Sequence, residues 1–251
     1  MVVATTTPDQ PQPATAVFVQ DKLGLQEVPA FDLNAVCSGF LYALDVADAL
    51  LTAHPDWASV LVIGADKYSD IMDRGDRRTV SLFGDGAGAV LLGRVPEGHG
   101  VRGSALAADG RARDYVRVEA GGSRRPDREG ADPAAHLFRM DGRAVRSWAL
   151  QVVPKVVDRA LHQAGLGVDD IDRVVFHQGN TRLVESLADA LGIERGKVAL
   201  SAPLLGNTAA ASIPLTLHQE QARRPFQRGE NILLAAVGGG MTAAASVLTW
   251  Y

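Results

Sequence analysis

The 251-residue sequence predicts an α/β protein made of two similar halves, and three observations carry that expectation. Short β-branched and aliphatic runs alternate with stretches of helical periodicity. Asp21-Lys22-Leu23-Gly24-Leu25 is echoed by Asp189-Ala190-Leu191-Gly192-Ile193, each closing a helical pattern. Each half then ends on a strand, a glycine-bearing connection and a second strand.

In chain order, Val2-Val3-Ala4 and Phe31-Asp32-Leu33 read as short strands. Phe40, Leu41, Leu44, Ala47, Leu50 and Leu51 recur at helical spacing and predict a helix with one apolar face. Val60-Leu61-Val62-Ile63 and Ala89-Val90-Leu91-Leu92 are unbroken aliphatic runs too short for helices, as expected of buried strands. The stretch Glu119 to Pro133, rich in Gly, Arg and Asp and without period, predicts a surface loop dividing residues 1–125 from 126–251. The second half opens with a strand-like Leu137-Phe138-Arg139-Met140 and a helix over Trp148 to Leu166. Val174-Val175-Phe176, Val198-Ala199-Leu200 and Ile232 to Val237 follow as strands, and Gly238 to Trp250 closes the chain.

Laying one half on the other matches Val2-Val3-Ala4 with Val174-Val175-Phe176 and sets Cys37 opposite Asn207, each between a strand and a helix. It also predicts that the first half lacks the strand and helix that precede Val174 in the second. An open sheet edge and an uncovered face should result.

Composition bounds the partners. A formal charge of -4 offers no bulk electrostatic ground for binding nucleic acid or an anionic membrane. The single cysteine rules out an internal disulfide and a cysteine-rich metal site, and places the protein in a reducing cytoplasm. Met1 to Thr5 lacks the basic and apolar regions of a leader, and no apolar run is expected to reach the ~18 residues of a membrane span.

Cys37 falls where a helix begins, so the helix dipole should favour its thiolate and make the sulfur nucleophilic; a buried structural cysteine is the other reading. His177 ends the strand Arg173 to Phe176 and should project at the carboxyl edge of a sheet, where ligands bind, or serve as a hydrogen-bonded loop residue. Asn207 precedes a helix and is either a cap or a site residue. Gly238-Gly239-Gly240 permits close backbone approach, and an amide there could join the Cys37 amide as an oxyanion hole. Gly84-Asp85-Gly86-Ala87-Gly88-Ala89 lies between strands and does not open a long helix, so it is no dinucleotide fingerprint.

These residues resemble the motifs of β-ketoacyl-acyl-carrier-protein synthase III, a condensing enzyme of the thiolase fold. The resemblance rests on Ala4 to Asp9, Cys37-Ser38-Gly39-Phe40, Phe83 to Ala89, His177-Gln178-Gly179-Asn180, Gly206-Asn207-Thr208 with Ser212-Ile213-Pro214, and Gly238-Gly239-Gly240. It implies a thiolase-like fold with two pseudo-symmetric halves in αβαβα layers. It further implies that Cys37 takes an acyl group from acyl-CoA, and that His177 and Asn207 stabilise the enolate from decarboxylated malonyl-acyl-carrier protein. The Cys37 and Gly239 amides would hold the other oxyanion, Arg77 would contact CoA and Arg182 would aid carrier-protein docking. A homodimer needing no metal or redox cofactor is implied as well. Members of the family carry an additional amino-terminal strand and helical region. The same residues leave open a thiolase-fold acyltransferase, a starter-loading enzyme of specialised metabolism, and an inactive partner subunit.

Overall fold

Two four-stranded sheets face each other across a layer of helices in the computed structural model, which describes residues 1–126 and 132–251. Residues 127–131 of the expected Glu119–Pro133 loop lie outside the described residues. The elements run β1 (Val2–Ala4), α1 (Thr15–Lys22), β2 (Phe31–Leu33), α2 (Gly39–Ala53), β3 (Ser59–Asp66), α3 (Arg77–Val80), β4 (Gly86–Gly93), β5 (Gly100–Ala108) and β6 (Val116–Arg117). They continue as β7 (Arg139–Met140), α4 (Gly142–Ala164), β8 (Arg173–Phe176), α5 (Thr181–Ala190), α6 (Ala202–Leu205), α7 (Ser212–Arg223), β9 (Asn231–Gly238) and β10 (Thr242–Thr249).

The first sheet has the order β2-β1-β3-β4, and the second β5-β10-β9-β8, with Val198 adding a parallel bridge beside β8. In both, a parallel pair (β1 with β3, β8 with β9) adjoins an antiparallel hairpin (β3 with β4, β9 with β10). α2 and α7 fill the layer between the sheets, where Phe40, Leu44, Ile213 and Leu217 share one core with Val62 and Leu234. α4 and α5 cover the outside of the second sheet, and α1 lies outside the first.

The unbroken apolar run of β9 follows from this layering. Ile232, Leu234 and Ala236 face the central helices, while Leu233, Ala235 and Val237 face α4 and α5. Both faces are buried, so the alternation of a half-exposed strand disappears. In β3 only alternate residues are buried, and β4, at the sheet edge, alternates between half-buried and exposed, with Leu91 70% exposed.

Four expectations need correction. The division of the sheets falls between Gly93 and Gly100, ahead of the 125/126 boundary, because β5 pairs with β10 in the second sheet. Leu137 to Met140 does not open that sheet; only Arg139–Met140 is strand, paired with β6. β5 escapes a propensity reading because six of its nine residues are Gly, Ala or Ser, and the cause is packing: a Cβ at Gly103 would run into the Ala160 carbonyl of α4. The apolar 18-residue window Val36–Ala53 does meet the length and composition of a membrane span, yet it is the α2 region of the central layer and half of it is buried.

The fourth correction concerns the superposition. Val36 and Ala209 both have left-handed backbones, with φ of 49° and 48°, and each opens a 3-10 turn running into α2 or α7. Asn34 Oδ1 accepts from the Val36 amide at 3.1 Å, and Asn207 Oδ1 from the Ala209 amide at 2.9 Å. Asn207 therefore corresponds to Asn34, and Cys37 to Ala210, three residues away from the alignment that set Cys37 against Asn207.

Candidate active site

Cys37 is the middle residue of the turn Val36–Ser38, so its amide is one of the N–H groups that a helix start leaves without an internal acceptor. The Ser38 hydroxyl donates to the Ala35 carbonyl at 2.8 Å and lies 2.7 Å from the Thr242 hydroxyl, tying the turn to the glycine loop between β9 and β10. Opposite the turn stands Gly238, where a Cβ would lie 2.7 Å from the Ala35 oxygen and 2.8 Å from the Ser38 nitrogen. Only glycine leaves that approach open.

The thiol does not behave as the helix-end reading predicts. Burial pushes its pKa well up, the Asp66 carboxylate adds to the shift, and the Cys37 amide and Tyr68 hydroxyl pull weakly the other way. A helix end is worth ~0.3–2 kcal/mol, whereas full burial can shift a titratable group by ~3–5 units, several kcal/mol. Desolvation wins, and Cys37 rests as a thiol.

His177 follows β8, with its amide donating to the Ala235 carbonyl at 2.8 Å. Its ring is buried, which lowers its pKa to about 4 against a weaker opposing effect of the Ala209 carbonyl, so the imidazole is neutral at pH 7. The neighbouring Gln178 is locked beneath it, donating to the Phe176 carbonyl and accepting from the Ser201 and Ala202 amides. Asn207 is held by its amide to the Leu82 carbonyl at 2.7 Å. Because its side-chain oxygen is taken by the Ala209 amide, its NH2 is the end left to donate to a ligand.

One cavity of about 110 Å³ brings Cys37, His177, Asn207 and Gly239 together. Its apolar wall is Tyr68, Phe83 and Phe138 with Val116 and Met140; Tyr68 stacks on Phe83 at 4.6 Å between ring centroids. Arg77 and Arg182 are exposed and do not line it, although Asn180, two residues before Arg182, does. The arginine in the lining is Arg146, which donates to Ser186 Oγ at 3.0 Å.

Sequence reading missed Tyr68, Phe138, Arg146 and the buried Asp66, and quoted the buried Ser212 only as part of a motif, with no role of its own. Asp66 ends β3 and accepts from the Thr6 amide, the Thr5 and Thr7 hydroxyls and the Ala210 amide. Ser212 Oγ lies 2.8 Å from His177 Nδ1. The internal repeat held the one available signal: Asp66 stands at the strand end that corresponds to Gly238.

Among known proteins, residues 31–110 match the family described as 3-oxoacyl-[acyl-carrier-protein (ACP)] synthase III, and residues 161–250 match its C-terminal part. The chain is 44% identical over its full length to an acetoacetyl CoA synthase of Streptomyces sp. (strain CL190), covering 76% of that protein. It is 44% identical over its full length to β-ketoacyl-[acyl-carrier-protein] synthase III 3 of Streptomyces coelicolor, covering 75%. The crystal structure of the synthase III from Thermus thermophilus superposes with a TM-score of 0.91 at 38% identity, over all of this chain and 76% of that one. The layered thiolase-like fold, the family matches and the identity to both relatives agree, and the chain belongs to the β-ketoacyl-acyl-carrier-protein synthase III family of starter-condensing acyltransferases.

Proposed function

We propose that the chain performs a decarboxylative Claisen condensation in which Cys37 carries the starter acyl group and malonyl-acyl-carrier protein supplies the extender. The observation that carries this reading is the single cavity shared by Cys37, His177, Asn207 and Gly239. The Cys37 sulfur attacks the acyl-CoA carbonyl, the carbon–sulfur bond to CoA breaks, and the thiol proton ends on the departing CoA sulfur. The malonyl carboxylate then leaves as carbon dioxide, and its bonding pair forms an enolate whose oxygen receives hydrogen bonds from His177 and the Asn207 NH2. The enolate carbon attacks the acyl carbon on Cys37, the Cys37 and Gly239 amides hold the tetrahedral oxyanion, and the cysteine sulfur departs as a thiolate that takes a proton from solvent.

Preorganised donors of this kind are each worth roughly 3–4 kcal/mol in a dry site. A neutral histidine suits the task, because an imidazolium would favour the malonyl carboxylate it must help to expel. The steps require no metal or redox cofactor. Arg77 is assigned to the CoA phosphates and Arg182 to an acidic carrier protein, both as exposed charges. A homodimer in the cytoplasm completes the reading.

The relative named acetoacetyl CoA synthase favours a second reading, in which the extender is carried on CoA. Incubation with acyl-CoA and either malonyl-acyl-carrier protein or malonyl-CoA, with mass analysis of products and of Cys37, separates the two. A β-ketoacyl product on the carrier protein supports the first reading, and one formed only on CoA replaces it. Free acid, or no acyl mass on Cys37 in folded protein, overturns both.

A further inference from the structure

The hydrogen bonds around His177 bear on where its proton sits. Ser212 Oγ lies 2.8 Å from Nδ1 and also accepts the Gln178 amide at 3.4 Å, with all three residues buried. A hydroxyl has one proton to give. With the Gln178 amide filling one of its two lone pairs, the hydroxyl can give its proton to the ring nitrogen, and Nδ1 is then an acceptor. A neutral ring carries one N–H, which must then be on Nε2. Nε2 lies on the Gly179 side, 3.4 Å from where a Cβ of that residue would stand, and both residues line the cavity.

We propose that Ser212 is a positioning residue for condensation: its hydroxyl holds the His177 proton on Nε2, so that the ring presents a donor, and not a lone pair, to the malonyl oxygen. Without it the opposite tautomer would leave a lone pair facing the developing enolate. Ser212 begins α7, one turn beyond Asn207, so one turn and helix set both enolate donors. The serine is not needed to build that turn. Its counterpart at the start of α2 is Gly39, which makes the same turn-to-helix passage with no side chain.

The inference rests on the condensing reading, but its first test does not. In protein labelled with 15N-histidine, the His177 resonances, assigned by their loss in His177→Gln, should show protonated Nε2 and bare Nδ1. Protonated Nδ1 in the wild-type chain overturns the proposal, whatever the enzyme makes. In Ser212→Ala the tautomer population should move toward Nδ1–H. Malonyl decarboxylation should fall roughly 10- to 100-fold, with Cys37 acylation changed less than about threefold. Ser212→Thr, which keeps the hydroxyl, should recover the wild-type tautomer. Ser212→Gly, matching Gly39, repeats the test should the alanine variant fold poorly. An unchanged tautomer in the Ala or Gly variant, or equal losses in both half-reactions, overturns the assignment. Acylation without any β-ketoacyl product in the wild-type chain would instead overturn the condensing reading and leave the tautomer result standing.

Discussion

The start of α2 and the start of α7 are the same device put to different ends. Each has an asparagine whose side chain accepts the amide two residues on, a left-handed residue, a 3-10 turn and then a helix. Each faces the last residue of an eight-residue strand, β3 or β9. At α7 that residue is Asp66, whose carboxylate accepts the Ala210 amide at 2.9 Å. At α2 it is Gly238, which sets no carboxylate against the turn, and Cys37, the counterpart of Ala210, lines the cavity. A helix start attracts anionic oxygen in either place. One half fills it with its own carboxylate, and in the proposed mechanism the other leaves it for the oxygen of a reacting thioester. On that reading the active site is made by an absent side chain as much as by a nucleophile.

Making the first opening like the second should have the largest effect. Gly238→Asp would crowd the Cys37 amide and place a negative charge beside the sulfur, so acyl transfer to Cys37 should be lost to below detection by intact-mass measurement. Retained acylation would break the comparison.

Removing the two asparagines comes next. Asn207→Ala should lower malonyl decarboxylation by roughly 10²- to 10³-fold, and Asn34→Ala should not, because Asn34 does not line the cavity. Both should lose cap stability of about 0.5–2 kcal/mol in urea unfolding. Equal loss of decarboxylation would mean that the asparagines act only through the backbone.

Asp66→Ala leaves the Ala210 and Thr6 amides without their acceptor and should cost about 2–4 kcal/mol of stability, read as a lower urea midpoint at unchanged slope. The pH dependence should be of similar or smaller size. The folded pKa of His177, about 4, lies below the ordinary 6.5, so the unfolded chain binds the proton first as pH falls. Stability is full above pH 6.5 and declines from there to about 4, by roughly 3 kcal/mol in total. His177→Gln should flatten that part of the profile in urea titrations between pH 4 and 7.

Much of this was readable beforehand. The two-fold repeat, the buried strands β3, β8 and β9, and the helices α2 and α4 announce themselves because hydrophobic period and turn residues are local properties. Cys37, His177 and Asn207 stand out as chemistry-bearing side chains at element ends, and the structure places them around one cavity. β5 was invisible, since its small residues answer to the closeness of α4 and not to strand propensity. The matching of the halves slipped by three residues because the repeated feature is a backbone shape, a left-handed turn, that Val36 and Ala209 share without sharing a side chain.

By itself, then, the order of residues determined most of the elements, their duplication and the candidate reactive groups, because each depends on neighbours within a few positions. The tertiary structure alone decided that Cys37 rests as a thiol, since burial depends on the layers closing over it. It alone brought Ser212 to within 2.8 Å of His177 across 35 residues and Asp66 to 2.9 Å from Ala210 across 144. Desolvation and hydrogen bonding act through space, and no spacing along the chain records them.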